Sequence, residues 1–327
     1  MTQATGIGSW PGTSVRDALA QVREILDGHL PYLPELPARG PGADMIGRTA
    51  GLLVELPVDL QPTGWRLVDR PGRDAHRTAA LMREDLDELA EAFEGHGGPI
   101  KLQVAGPWTL AASVWLPRGE RVVVDEGACR DLVDSLAEGV RTHVATVRRL
   151  VPGAEVVLQV DEPSLPTVLS GRLPTASGYG RLPSVDPQVA AAALATVLAV
   201  HDGDTVIHCC SADPPLPLLR SARPAALSLD TAQLRPRGWE GVAVAVEDGI
   251  RLHAGAVPTD GSVTRAVEVA DRISDAWQRV GMPLSSLSDI VVTPACGLAG
   301  APPPVALAIQ RAAVDAAREL SERAQQG

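Results

Sequence analysis

The sequence predicts an α/β fold, a (β/α)8 TIM barrel, on three observations. Short apolar, β-branched runs recur along its 327 residues, and each gives way to a stretch rich in Ala, Leu, Arg and Glu. Eight such runs occur, the number a barrel of this class requires. Their unusual polar residues sit at their C-terminal ends, which converge on one face of such a barrel. Near-continuous apolar strands alternating with helices call for a parallel sheet. The length suits one barrel domain over 1–327 with insertions.

In chain order the runs are GIGSW (6–10), LPYLPEL (30–36), KLQVAG (101–106), VVLQVDE (156–162), TVIHCC (205–210), ALSLDT (226–231), IRLHAGAV (250–257) and IVVTPACG (290–297). Helices are expected between them over 14–27, 79–95, 128–150, 187–201 and 263–280, and a closing helix over 303–324. Two stretches break the rhythm. Residues 52–68 alternate around Pro62-Thr63-Gly64 and read as a β-hairpin inserted before the third run. Residues 170–187, rich in Gly, Pro and Ser and carrying Tyr179, read as a loop after the fourth run, placed to act as a lid.

Composition excludes several classes. Hydrophobic residues make up 45% and charged residues 21%, enough for a core and too apolar for a disordered chain. Forty acidic against 29 basic residues give a net charge of −11 without a basic block, so nucleic acid and anionic membrane are poor partners. No apolar run reaches the ~18–20 residues of a spanning helix, and the first residues lack the basic start and apolar stretch of a secretory signal. A cytoplasmic location is expected. Lysine occurs once, at Lys101, at the start of its run; that placement assigns it to the opposite, stabilising face. Four cysteines in a long chain do not make a disulfide framework.

The candidate site residues follow from position. Side chains alternate along a strand, so His208 and Cys210 point one way and Cys209 the other. Cys296 at the end of the eighth run and Asp230 at the end of the sixth bring a second thiolate and an oxygen. Two sulfurs, a nitrogen and an oxygen make a tetrahedral zinc site; the competing reading is small buried cysteines and a core histidine. Of Asp161 and Glu162, only one faces the lumen, where a carboxylate suits a substrate ammonium group. His253, late in its run, is a candidate general acid. Ser9 and the amides of GIGSW form a further polar end; this is not GxGxxG, and no dinucleotide fingerprint follows. Trp10, Trp108 and Trp115 fall just past strand ends, either as a stacking wall for a flat ligand or as filling for the barrel mouth.

Taken together, these residues resemble the catalytic C-terminal barrel of the cobalamin-independent methionine synthase family. GIGSWP is similar to its Ile-Gly-Ser-x-Pro stretch, LQVDEPSL to Gln-Ile-Asp-Glu-Pro-Ala-Leu, HCC to His-x-Cys and LSLDT to Ile-x-Ile-Glu-Thr. TPACGL is similar to Pro-Asp-Cys-Gly-Leu, and LHAGAVP to Ile-His-Ser-Pro-x-Val-Pro. The resemblance implies a zinc-dependent thiol methyltransferase that converts homocysteine to methionine. His208, Cys210, Asp230 and Cys296 would hold the metal, Ser9, Glu35 and Asp161 the amino acid, and His253 would be the acid. The chain departs from the family in lacking a second, N-terminal folate-binding barrel and in carrying Asp230 where the family has Glu. With no such barrel and an acidic surface, a corrinoid or corrinoid protein is the expected methyl donor, with a methylated folate second. The competing functions are a metal-free decarboxylase-like lyase, which needs arginines such as Arg39 and Arg48 for its substrate's carboxylates, and a non-catalytic zinc-binding barrel.

Overall fold

The computed structural model describes residues 1–262 and 264–326; Val263, the first residue of the helix expected over 263–280, and Gly327, the last of the expected domain, lie outside the described residues. The strands are β1 (Gln3–Ala4), β2 (Val58–Gln61), β3 (Gly64–Leu67), β4 (Pro99–Ala105), β5 (Glu155–Asp161), β6 (Thr205–Cys209), β7 (Ala226–Asp230), β8 (Arg251–Val257) and β9 (Val291–Pro294). Seven of them form one curled parallel sheet in the order β1-β9-β8-β7-β6-β5-β4. The remaining two, β2 and β3, pair antiparallel as the inserted hairpin, inside the expected 52–68.

Residues 30–36 link the two edges of the sheet. On one side Leu30 N donates to Ala4 O and Glu35 N to Gly8 O; on the other Leu33 N donates to Lys101 O and Lys101 N to Pro31 O. The sheet therefore curls until its edges meet across this segment, as in a TIM-like barrel. Two expectations change here. The second run is not a continuous strand, because Pro31 and Pro34 have no N–H to give to a ladder; it makes only isolated parallel bridges, Ser9 to Glu35 and Tyr32 to Lys101. The first strand is Gln3–Ala4 rather than 6–10, and GIGSW continues from it as irregular backbone bonded to residues 30–36.

The long helices stand where their composition placed them, at Val15–Ile25, Arg73–Ala92, Glu126–Leu150, Pro187–Leu198, Ala266–Arg279 and Pro303–Gln326. Side-chain caps fix three of their starts: Ser14 accepts from Asp17 N, Asp125 from Ala128 N, and Asp186 from Gln188 N. The helix Glu126–Leu150 buries Leu132, Leu136, Val140, Val144 and Val147, a stripe at helical spacing that packs on the sheet. The helix Pro236–Glu247 is an addition to the expected set. Its Val-Ala-Val-Ala-Val segment and two glycines favour a strand by local preference, yet Trp239, Val242 and Ala243 bury as one helical face.

The loop within 170–187 folds back on itself through a Pro174–Arg181 bridge. It is tied to the neighbouring turn by Arg121, which donates to Pro174 O at 2.9 Å, and by Ala176 N, which donates to Glu120 at 2.6 Å. Tyr179 at its tip is fully in solvent. Among the described residues no helix is long and apolar enough to cross a membrane.

Candidate active site

A cavity of about 410 Å³ opens where the strands end, and Ser9, Glu35, Asp161, His208, Cys210 and Cys296 all line it. Six of the eight predicted site residues are thus brought together from β5, β6, the loop after β9 and the segments that close the sheet. Asp230 and His253 are not among its lining residues.

Three of the lining residues are soft donors. Cys210 follows β6, and Cys296 follows β9. Interaction with the Cys210 thiol, helped by the Gly297 amide, draws Cys296 below the ordinary thiol range to about 6, and pushes Cys210 up in turn. His208 is buried, and burial together with the Lys101 charge holds it neutral, pushed down to about 4. Its Nδ1 meets Ser228 Oγ at 3.0 Å, and Nε2 makes no hydrogen bond to the described residues. Cys209 points the other way into the core, where burial raises it to about 12. A thiol drawn toward thiolate, a second thiol and a neutral imidazole are ligands zinc accepts, so His208, Cys210 and Cys296 fit that metal by chemistry. The cluster is not closed around an ion: among the described residues no three His, Cys, Asp or Glu side chains are gathered tightly enough to hold one.

Asp230 ends β7 near Cys296, whose thiolate feels its charge. Its carboxylate is engaged by the turn that follows, accepting from Ala232 N at 3.1 Å and from Gln233 Nε2. The shorter Asp side chain reaches its own turn instead of the cavity.

Two lining residues, Asp161 and Glu35, are acidic and buried. Asp161 Oδ1 accepts from Gln159 Nε2 at 2.7 Å. Glu35 is 3% exposed, and its Oε1 has no hydrogen-bond partner among the described residues. Burial raises both carboxylates above their usual range, Asp161 further because Glu35 is close. Ser9 is locked against the loop after β9: Leu298 N donates to Ser9 O at 2.9 Å, and Ala299 N to Ser9 Oγ at 3.4 Å. That contact explains Gly297, because a Cβ there would lie 2.1 Å from Ser9 Oγ.

Three groups in and under the site were not given these positions by the sequence. Lys101 is fully buried and sends its side chain into the barrel rather than to the opposite face; burial lowers it to about 8 against the pull of Asp161 and Glu35. Gln159 lies between it and Asp161. The signal was present as polar residues two apart, Lys101 with Gln103 and Gln159 with Asp161, which share a face of their strands. Glu162 faces away from the lumen and accepts from Trp108 N, Thr109 N and Thr109 Oγ1, capping the helix Pro107–Ser113; burial raises it to about 7.

His253 lies deeper. It is level with Ser228 and Val291, is 2% exposed, and lines a separate cavity of about 580 Å³ with Gln3, Glu155 and Arg251, at the N-terminal ends of the strands. Burial and the charge of Lys101 push it down to about 3. The three tryptophans fill space rather than wall the cavity. Trp10 and Trp108 donate to Gln21 Oε1 and Ala190 O, and Trp115 packs between the guanidinium groups of Arg66 and Arg121.

Comparison with known proteins agrees with the fold. A structure described as a B12-independent methionine synthase from Shewanella sp. W3-18-1 in complex with selenomethionine superposes with a TM-score of 0.69, covering 100% of both chains at 13% identity. No curated protein matches the chain in sequence. Residues 1–319 match the family described as the catalytic domain of cobalamin-independent synthase. With that match spanning nearly the whole sequence, the chain belongs to the cobalamin-independent synthase catalytic-domain family.

Proposed function

We propose that this chain transfers a methyl group to the thiol of homocysteine, giving methionine, with zinc held by His208, Cys210 and Cys296. The observation that carries the reading is one cavity lined both by soft donors, His208, Cys210 and Cys296, and by the buried carboxylates Glu35 and Asp161. An amino acid with a thiol presents the matching pair, an ammonium at one end and a sulfur at the other.

Asp161 and the unpartnered Oε1 of Glu35 accept from the α-ammonium group, an interaction strengthened because the hydrogen bonds are charge-assisted. Ser9 Oγ and the surrounding amides receive the carboxylate. The thiol then lies toward Cys210 and Cys296. A free thiol is only about 3% thiolate at neutral pH, and zinc, when bound, deprotonates it while leaving the sulfur nucleophilic. The new bond runs from sulfur to the methyl carbon as the donor–methyl bond breaks; the electron pair stays on the donor atom, which takes up one proton in balance with the one the thiol has lost. Burial of Asp161 and Glu35 excludes water from the ammonium end, which fixes the acceptor in one direction.

Both comparisons describe synthases that act without cobalamin. The corrinoid donor expected from the sequence therefore draws no support from them, and a methylated folate is the donor proposed. The competing decarboxylase reading loses its arginines: Arg39 and Arg48 are both paired with the buried Asp85. The test is conversion of homocysteine to methionine by the purified chain, with methylated folate and methylcobalamin supplied in separate arms. Methionine from the folate arm supports the proposal; methionine from the methylcobalamin arm alone moves the donor; none from either removes the function.

A further inference from the structure

Lys101 is the chain's single lysine, and it is buried without any exposed surface. Its Nζ donates to Gln159 Oε1 at 2.8 Å and to Ile7 O at 2.8 Å, and lies 5.2 Å from the centroid of the Tyr32 ring. An ammonium group has donors only, so the atom of Gln159 that meets it must be the amide oxygen. That contact orients the whole amide. Its Nε2 is left to donate to Ile7 O at 2.8 Å and to Asp161 Oδ1 at 2.7 Å. Turned over, the amide would aim N–H at the Lys101 ammonium and its oxygen at the Asp161 carboxylate. The buried cation thus anchors the oxygen end of the amide whose N–H faces the carboxylate that lines the cavity.

The charges point the same way. Asp161 and Glu35 both line the cavity, and Lys101 acts on both. The other buried cation nearby, Arg48, shares Asp85 with Arg39. Arg48 also acts on Glu35, ahead of Lys101, whereas Lys101 is the cation that acts on Asp161, so Asp161 is the carboxylate that depends on the lysine.

Resting on the acceptor reading above, we propose that Lys101 is the positioning residue of the acceptor pocket. Through Gln159 it holds the Asp161 carboxylate in place to accept the α-ammonium group. Lys101 does not touch the acceptor; it acts through the amide.

Calorimetric titration of the purified chain with homocysteine and with 4-mercaptobutanoate, which keeps the thiol and carboxylate but lacks the amine, tests this. The wild-type chain binds homocysteine the more tightly. In Lys101→Met the affinity for homocysteine falls about tenfold or more, the scale of a lost charge-assisted hydrogen bond, while that for 4-mercaptobutanoate stays within about twofold. Gln159→Met gives the same selective loss with the lysine still in place, and it decides the matter should Lys101→Met fail to fold. Equal losses for both ligands, or no loss in either variant, overturn the inference and leave Lys101 a structural residue. A wild-type chain without preference for homocysteine overturns the acceptor pocket itself and the role of Lys101 with it.

Discussion

Asp161 and Glu162 are adjacent in sequence and serve opposite sides of the sheet. Asp161 turns into the lumen and lines the cavity, while Glu162 turns outward and caps the helix Pro107–Ser113 with three accepted hydrogen bonds. Strand alternation separates them, and Gly106 makes room for the second: a Cβ there would lie 2.3 Å from Glu162 Oε1.

The pair therefore predicts opposite mutational signatures. Asp161→Asn raises the KM for homocysteine about tenfold, with melting temperature and metal content near wild type. Glu162→Gln places an amide N–H against backbone N–H donors and costs about 2 kcal/mol of stability, with KM little changed. Thermal denaturation and steady-state kinetics on the two variants check this. A KM effect in Glu162→Gln equal to that in Asp161→Asn would contradict the division of roles.

Metal content separates the three cysteines near the site. Cys210→Ser and Cys296→Ser each lose most of the zinc, whereas Cys209→Ser keeps it, since Cys209 lies in the core on the far side of the strand. Asp230→Ala also retains zinc, because its carboxylate is already committed to Ala232 and Gln233. Metal analysis of the four purified variants reads all of this. Loss in Cys209→Ser would mean the β6 register is wrong, and loss in Asp230→Ala would restore the fourth ligand expected from the sequence.

His253 gives a third prediction. It is buried beneath the cavity and held neutral well below physiological pH. Proton donation in catalysis requires a group near neutrality within reach of the substrate. His253→Ala is expected to keep kcat with a methylated folate within about threefold of wild type, the scale of a lost packing contact rather than a lost general acid. A fall of about a hundredfold or more, the usual contribution of such an acid, would return His253 to the chemistry.

The α/β alternation and most of the site were legible because they rest on local pattern. Apolar runs ending in Asp161, His208, Cys210 and Cys296 identify strand ends that meet on one face. Segment 30–36 reads as a strand from its apolar residues, but Pro31 and Pro34 limit it to isolated bridges, a matter of hydrogen-bond supply that composition hides. Lys101 looked like a bottom-face residue because it starts its strand; a long side chain rises along the lumen from there to Gln159. Asp230 and His253 sit in plausible motif positions, and only three-dimensional depth and local hydrogen bonding show where their side chains are spent.

The central claim, zinc-dependent methylation of homocysteine, is tested most directly by methionine formation before and after removal of the metal. The chain as purified is expected to hold about one zinc and to form methionine from homocysteine and a methylated donor. Chelation should abolish turnover, and zinc alone should restore it. Full methionine formation by the metal-stripped chain, or none by the zinc-loaded chain with either a methylated folate or methylcobalamin, would contradict the account.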